Sequence, residues 1–232
     1  MTVDESVDTL DARLRRDFVV TDLDVPIGEA TFSLVVPRNS DDLIREEDYV
    51  RDERLPYWAD LWPSSRALAA HMLASDGRGR RLLELGCGAG LVAAAAARAG
   101  YEILATDYYE DALDFARVNA TRNTPGADDR FAVRHVDWRA FPEDLGTFDV
   151  VVASDVLYEQ EYGRLVAAAI ARTLGPEGRA IIADPGRIAA DDFVRECGVL
   201  GLIVPPPTEV PYVDGEIRQR IRLYEIRWGV GE

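Results

Sequence analysis

The feature that most restricts the fold of this chain is an alternation that begins near Tyr57: aliphatic runs of strand length recur with segments of helical length between them. The strand-like runs are RLLELG, YEILATD, FAVRHVDW, FDVVVASDVL and RAIIAD, and the helical segments are LVAAAAARA, YEDALDFARVNATRN, EYGRLVAAAIARTL and AADDFVRECGVL. Parallel neighbours need a crossover of about a dozen residues where antiparallel ones need only a turn, so this rhythm predicts βαβ units covered on both faces. It ends at LIVPPPTEVPYVDGEIRQRIRLYEIRW, where two extended runs flank VDGE without a helix. That predicts an antiparallel hairpin at the sheet edge, where prolines 205 to 207 and 211 are tolerated. The expected fold class is α/β: a Rossmann-like, doubly wound, mostly parallel seven-stranded sheet with an antiparallel C-terminal edge hairpin.

Residues 1–56 read differently. DFVVTDLDV and EATFSLVVP, joined by PIGE, predict a β-hairpin laid against the main domain. The acidic beginning is expected to be partly disordered, and RNSDDLIREEDYVRDERL is a charged connector without a continuous apolar face. The expected organisation is an N-terminal extension over 1–56 and one domain over 57–232, which opens with the helix WPSSRALAAHMLAS and Pro63 in its first turn.

Bulk properties exclude several classes. At 232 residues and 47% hydrophobic content the chain suits a single core, and no apolar run approaches the ~18 residues of a membrane span. MTVDESVDTLDARLRRDFVV has no apolar segment of a signal peptide, so the expected location is cytoplasmic, with no membrane partner. Cys87 and Cys197 read as free thiols, and no metal site is expected. A net charge of −16 argues against gripping nucleic acid, because neutralising phosphates takes clustered basic residues. All 26 basic residues are arginine, so the chain has no lysine of its own.

Chemistry concentrates around RRLLELGCGAGLVAAAAARAG. A strand ending in a glycine turn that opens a helix suits a nucleotide, since the helix N-terminus offers unpaired N–H groups. The spacing Gly86, Gly88, Gly90, followed by Leu91, departs from the dinucleotide fingerprint, and the absence of lysine rules out a Walker-type phosphate loop. Glu84 beside the turn would repel a pyrophosphate and welcome a cationic group. Asp107 ends the next strand, where a carboxylate can grip ribose hydroxyls. Asp137 and Trp138 end the third, an acid beside an indole that suits an adenine. These residues describe an adenosine with a positively charged, amino-acid-like tail.

In that combination the chain resembles the seven-stranded, class I S-adenosylmethionine-dependent methyltransferases, whose glycine motif E/D-x-G-x-G-x-G is met here by ELGCGAG. The resemblance runs from about Tyr57 to Trp228. PYWADLWPSSRALAAHML and ASDVLY are most similar to the protein-lysine methyltransferase branch, the latter as its D/E-x-x-Y/F motif after the fourth strand. The resemblance implies S-adenosyl-L-methionine as cofactor, with Trp62 covering it. It implies Glu84, Gly86 and Gly88 at the methionine part and Asp107, Asp137 and Trp138 at the adenosine, with Cys87, Tyr108 and Ala153 among the cofactor-binding residues. Asp155 and Tyr158 are then the catalytic candidates, Asp155 to capture and orient an amine and Tyr158 to line its channel.

The expected acceptor is a protein lysine, and a small-molecule N- or O-methyltransferase is the alternative that the residues leave open. Nucleobase methylation is disfavoured because SDVLY stands where D/N-P-P-Y/F is expected, and ADPGR at 183 to 187 does not replace it. A non-catalytic binding module and an NAD-dependent oxidoreductase are the competitors from other classes. The oligomeric state is not encoded in any motif.

Overall fold

A computed structural model describes residues 6–43, 55–126 and 128–229. The start of the acidic N-terminus and most of the charged connector lie outside the described residues. The rest of that N-terminus is not disordered but folds as helix α1 (Val7–Asp17). Ser6 caps it by accepting from the Thr9 N–H, and Leu10 and Leu14, one turn apart, are buried. The expected hairpin follows as β1 (Val20–Ile27) and β2 (Ala30–Pro37), paired antiparallel. Its turn is tighter than PIGE suggested, because Ile27 already faces Ala30 and only Gly28 and Glu29 lie between.

The remaining elements run α2 (Pro63–Leu73), β3 (Arg81–Leu85), α3 (Leu91–Arg98), β4 (Glu102–Asp107), α4 (Glu110–Asn123), β5 (Phe131–His135), β6 (Phe148–Ser154), α5 (Tyr162–Thr173), β7 (Leu174–Asp184), α6 (Ala190–Val199), β8 (Leu202–Ile203), β9 (Thr208–Asp214) and β10 (Ile217–Trp228). The sheet order is β5-β4-β3-β6-β7-β10-β8, with β9 also pairing with β10. Strands β3 to β7 are mutually parallel and β10 is antiparallel to all its neighbours. The outer arm of the C-terminal hairpin is thus two short strands, interrupted where Pro205, Pro206 and Pro207 cannot donate to a ladder.

Both sheet faces are buried, which is why the central strands read as unbroken aliphatic runs. Leu82, Val150, Val152 and Ile181 face one core, and Leu83, Leu85, Val151, Ala153 and Ile182 face the other. In α3 every residue from Ala93 to Ala97 is buried, because the N-terminal hairpin covers the face turned away from the sheet with Phe32, Leu34 and Val36. A helix enclosed between two layers has room for little more than methyl groups. The hairpin is tied to α4 by Asn119, whose side chain accepts from Val35 N–H (2.7 Å) and donates to Val35 O (2.8 Å) and Ala89 O (2.9 Å). No described helix is long and apolar enough to cross a membrane.

Candidate active site

The chain winds outward from β3 through β4 to β5, then returns to lay β6 against the other side of β3. That reversal opens a crevice at the C-terminal ends of the strands. A cleft of about 950 Å³, counted with the open space at its mouth, occupies it, lined by the glycine turn, by the residues that end β4, β5 and β6, and by the 55–65 segment.

At one end, Gly86, Cys87 and Gly88 form the floor. Gly86 sits at φ +69°, and a Cβ there would meet Val156 at 3.1 Å and Trp138 at 3.5 Å, so the missing side chain keeps this floor open. Gly90 at φ +82° serves packing instead, since a Cβ would lie 2.6 Å from Ala116 Cα on α4. Asp107, 6% exposed, accepts from Gly88 N–H (2.9 Å) and Tyr109 N–H (3.0 Å). Burial raises its pKa and these backbone donors pull it back. Asp137 accepts from Arg139 N–H (2.9 Å) as the cap of the short turn Trp138–Ala140. The Trp138 ring stands edge-on to Tyr162 at 5.4 Å.

At the other end Asp155 adopts φ +59°, the one non-glycine residue with positive φ among the described residues. Its Oδ2 accepts from the Ser64 hydroxyl of α2 (2.9 Å) and its Oδ1 from Arg187 Nε (2.6 Å). Tyr158 packs edge-on between Tyr57 (5.3 Å) and Tyr162 (5.1 Å). Burial lifts its pKa far above the ordinary phenol range, so it is a neutral hydroxyl and not a base. Trp62 is held by its indole N–H donating to Tyr57 O (2.9 Å), with the Arg187 guanidinium 5.1 Å over its ring. A second lobe of about 800 Å³ opens here. It shares Leu55, Tyr57, Trp62, Asp155 and Tyr158 with the main cleft and adds Glu159 and Arg187.

Trp62, Gly86, Cys87, Gly88, Asp107, Tyr108, Asp137, Trp138, Asp155 and Tyr158 therefore line one continuous space. Glu84 and Ala153 do not. Ala153 faces the core with Val151. Glu84, on the face of β3 that carries Leu82, points under α3 and is 1% exposed, with Oε2 lacking a hydrogen-bond partner. Burial, then the nearby Asp107 charge, raises its pKa well above the usual range, against a pull from the Ala93 N–H. Its place is beneath the turn, so any influence on a ligand passes through the turn. Cys87 lines the cleft, but burial pushes its thiol pKa up, which makes it a poor nucleophile.

Sequence reasoning missed Tyr57, Trp58, Ser64, Arg139 and Arg187. PYWADLW signalled the aromatics as a group without placing Trp58, whose carbonyl lies where a Gly88 Cβ would come within 2.9 Å. Ser64 and Arg187 carried no local signal, because their roles exist only where distant loops meet.

Residues 83–182 match the family model described as a methyltransferase domain. The chain is 32% identical over 139 residues to the electron transfer flavoprotein beta subunit lysine methyltransferase of Xenopus laevis, an alignment covering 57% of this chain and 53% of that protein. It is 32% identical over 107 residues to the protein N-lysine methyltransferase METTL21A of Xenopus tropicalis, covering 44% and 49%. The chain spans about half the length of the curated relatives it matches. Among solved structures it shares the fold of the glycopeptide N-methyltransferase MtfA complexed with S-adenosylmethionine, with TM-score 0.55, 19% identity and coverage of 72% of this chain and 93% of that one.

Proposed function

We propose that this chain is a class I S-adenosylmethionine-dependent methyltransferase, a reading its methyltransferase-domain match and its relatives support, and that it N-methylates the side-chain amine of a lysine in another protein. The observation that carries the reading is the continuity of two lobes. One gathers Asp107, Asp137 and Trp138 around the glycine turn, and the other opens beside it around Asp155 and Tyr158. The identity of the relatives in the lysine methyltransferase branch supports the acceptor class.

The charges present fit the cofactor. Among the described residues the main cleft carries Asp60, Asp107, Asp137 and Asp155 against Arg139, an excess that suits a ligand with a sulfonium and an ammonium. Asp107 would take the ribose hydroxyls, Asp137 and Trp138 the adenine, the Gly86–Gly88 floor the methionine part, and Trp62 the roof. When bound, S-adenosylmethionine supplies a methyl carbon already activated by its sulfonium, which leaves alignment and exclusion of water to the protein.

The acceptor amine has to arrive neutral, yet at an unperturbed pKa of ~10.4 only on the order of one lysine in a few thousand is neutral at pH 7. Burial in the aromatic channel of Tyr57, Trp62 and Tyr158 lowers that pKa, whereas the Asp155 carboxylate favours the ammonium. Asp155 therefore captures and orients the incoming group, and the neutral Tyr158 hydroxyl contributes the channel wall. Incubation with methyl-labelled cofactor and a cell extract tests the reading. Methylated lysine is expected after hydrolysis of labelled protein, and it cannot arise from the enzyme, which has no lysine. Label confined to small metabolites would refute the acceptor class.

A further inference from the structure

Asp155 is already paired. If it is the residue that receives an acceptor amine, that amine meets a carboxylate with a partner already on each oxygen, Ser64 on Oδ2 and, on Oδ1, the cation of Arg187, which already offsets its charge. The two partners are not equally fixed. Ser64 lies in the first turn of α2 and is fully buried, so it cannot leave without moving the helix. The Arg187 side chain is 34% exposed, against 3% for Asp155, and it borders the second lobe.

The loop that carries Arg187 is set in place from below. Asp184, fully buried at the end of β7, accepts from Gly186 N–H (2.6 Å) and Arg187 N–H (2.7 Å) through the same oxygen. The backbone of ADPGR is thus anchored, and the long side chain is what can swing. While bonded to Asp155 its guanidinium also lies over the Trp62 ring, a contact that does not depend on the carboxylate.

We propose that Arg187 occupies, in the free protein, the position on Asp155 that a cationic acceptor group takes on binding, so that acceptor capture is an exchange of one cation for another. This rests on the methyltransferase reading above and gives ADPGR a role in it. The exchange selects for charge. A neutral hydroxyl has no means of displacing a guanidinium from a carboxylate, whereas an ammonium does. An anionic acceptor is disfavoured as well, because the two lobes carry Asp60, Asp107, Asp137, Asp155 and Glu159 against Arg139 and Arg187 among the described residues.

The test uses the full chain saturated with S-adenosylhomocysteine and n-butylammonium as a mimic of the lysine side chain, with butyrate as the anionic counterpart. Calorimetry should show butylammonium binding about tenfold or more tightly to Arg187→Met than to the wild type, because no resident cation has to be displaced. Arg187→Lys keeps a cation on the carboxylate and should stay near wild type, which separates loss of charge from loss of shape. In the wild type the Arg187 Nε–H resonance should lose its exchange protection as butylammonium is added, a readout that does not depend on any variant folding. Equal butylammonium affinity in wild type and Arg187→Met, or an Nε–H signal unmoved at saturation, would overturn the proposal. So would butyrate binding that requires Arg187, which would mark an anion site instead. Failure to bind S-adenosylhomocysteine at all would remove the reading on which the exchange depends, a result distinct from either of these.

Discussion

The two ends of the cleft are built in different ways. At the glycine-turn end each polar group stands at the end of a parallel strand, and its partners are its own sequence neighbours or those of the adjacent strand: Asp107 binds Gly88 and Tyr109, and Asp137 binds Arg139. At the Asp155 end, the site is assembled from three separated segments that supply Ser64, Asp155 and Arg187. The first arrangement presents a preformed surface. The second holds a carboxylate at positive φ behind an internal cation, and in the exchange proposed above that cation is what an acceptor displaces.

The largest effect should separate these two functions. Asp155→Ala should reduce methyl transfer below about 1% of wild type while S-adenosylmethionine affinity stays within about threefold, because a group used only for the acceptor contributes nothing to cofactor binding. Alanine at φ +59° also costs about 1 kcal/mol or more. Asp155→Asn, which tolerates that conformation, is therefore the stricter variant and should show the same split. Stopped-flow turnover together with calorimetry checks both halves, and parallel loss of cofactor binding would erase the distinction between the two ends.

Asp107→Asn makes the reciprocal change. It keeps the shape but removes the charge-assisted bonds at the floor, so cofactor affinity should fall by about 100-fold. If turnover at saturating cofactor nevertheless stays within about tenfold, the two ends act independently. A matching collapse in turnover would mean that Asp107 positions the reacting group as well.

The contrast also explains what was legible in the sequence. The fold followed from periodicity, since each aliphatic run marks a strand and each strand end marks a place on the crevice rim. Gly86, Asp107, Asp137 and Trp138 were legible for the same reason. Glu84 was legible as an acid near the turn but not as one buried beneath it, because the face of a strand depends on which core its neighbours join. Helix α1 was missed although Ser6, Leu10 and Leu14 carry a cap and an i, i+4 apolar pair, because the acids around them suggested a solvated terminus. Arg187 was invisible, since nothing in ADPGR tells which carboxylate its side chain will reach.

A smaller effect is expected outside the cleft. Asn119→Ala removes three buried hydrogen bonds that join the N-terminal hairpin and the glycine turn to α4. It should cost about 2–4 kcal/mol, or roughly 4–16 °C in Tm for a chain of this size. Cofactor affinity should weaken by only about threefold, since Ala89 is the single contact to the turn. An unchanged Tm by calorimetry would mean that the extension is held by its apolar face and its other polar ties, such as the Asn123 side chain on Ser33 and the Arg122–Asp22 pair.

The smallest effect concerns Glu84, and its sign is the informative part. A carboxyl whose pKa is raised on folding binds more protons in the native state than in the unfolded one, so its contribution to stability declines as pH rises from the unfolded value through the folded one. Glu84→Gln removes that decline. The variant should gain stability relative to wild type as pH is raised toward 8, and the difference should close as pH falls below about 4, where the wild-type group becomes protonated in both states. S-adenosylmethionine affinity should change by only about threefold, far less than for Asp107→Asn, because the side chain lies beneath the turn and acts on the ligand at second hand. Thermal melts across pH with parallel calorimetry decide the point. A loss of affinity as large as that of Asp107→Asn would show that Glu84 reaches the ligand when the turn closes on it, and would make the floor of the cleft as mobile as its acceptor end.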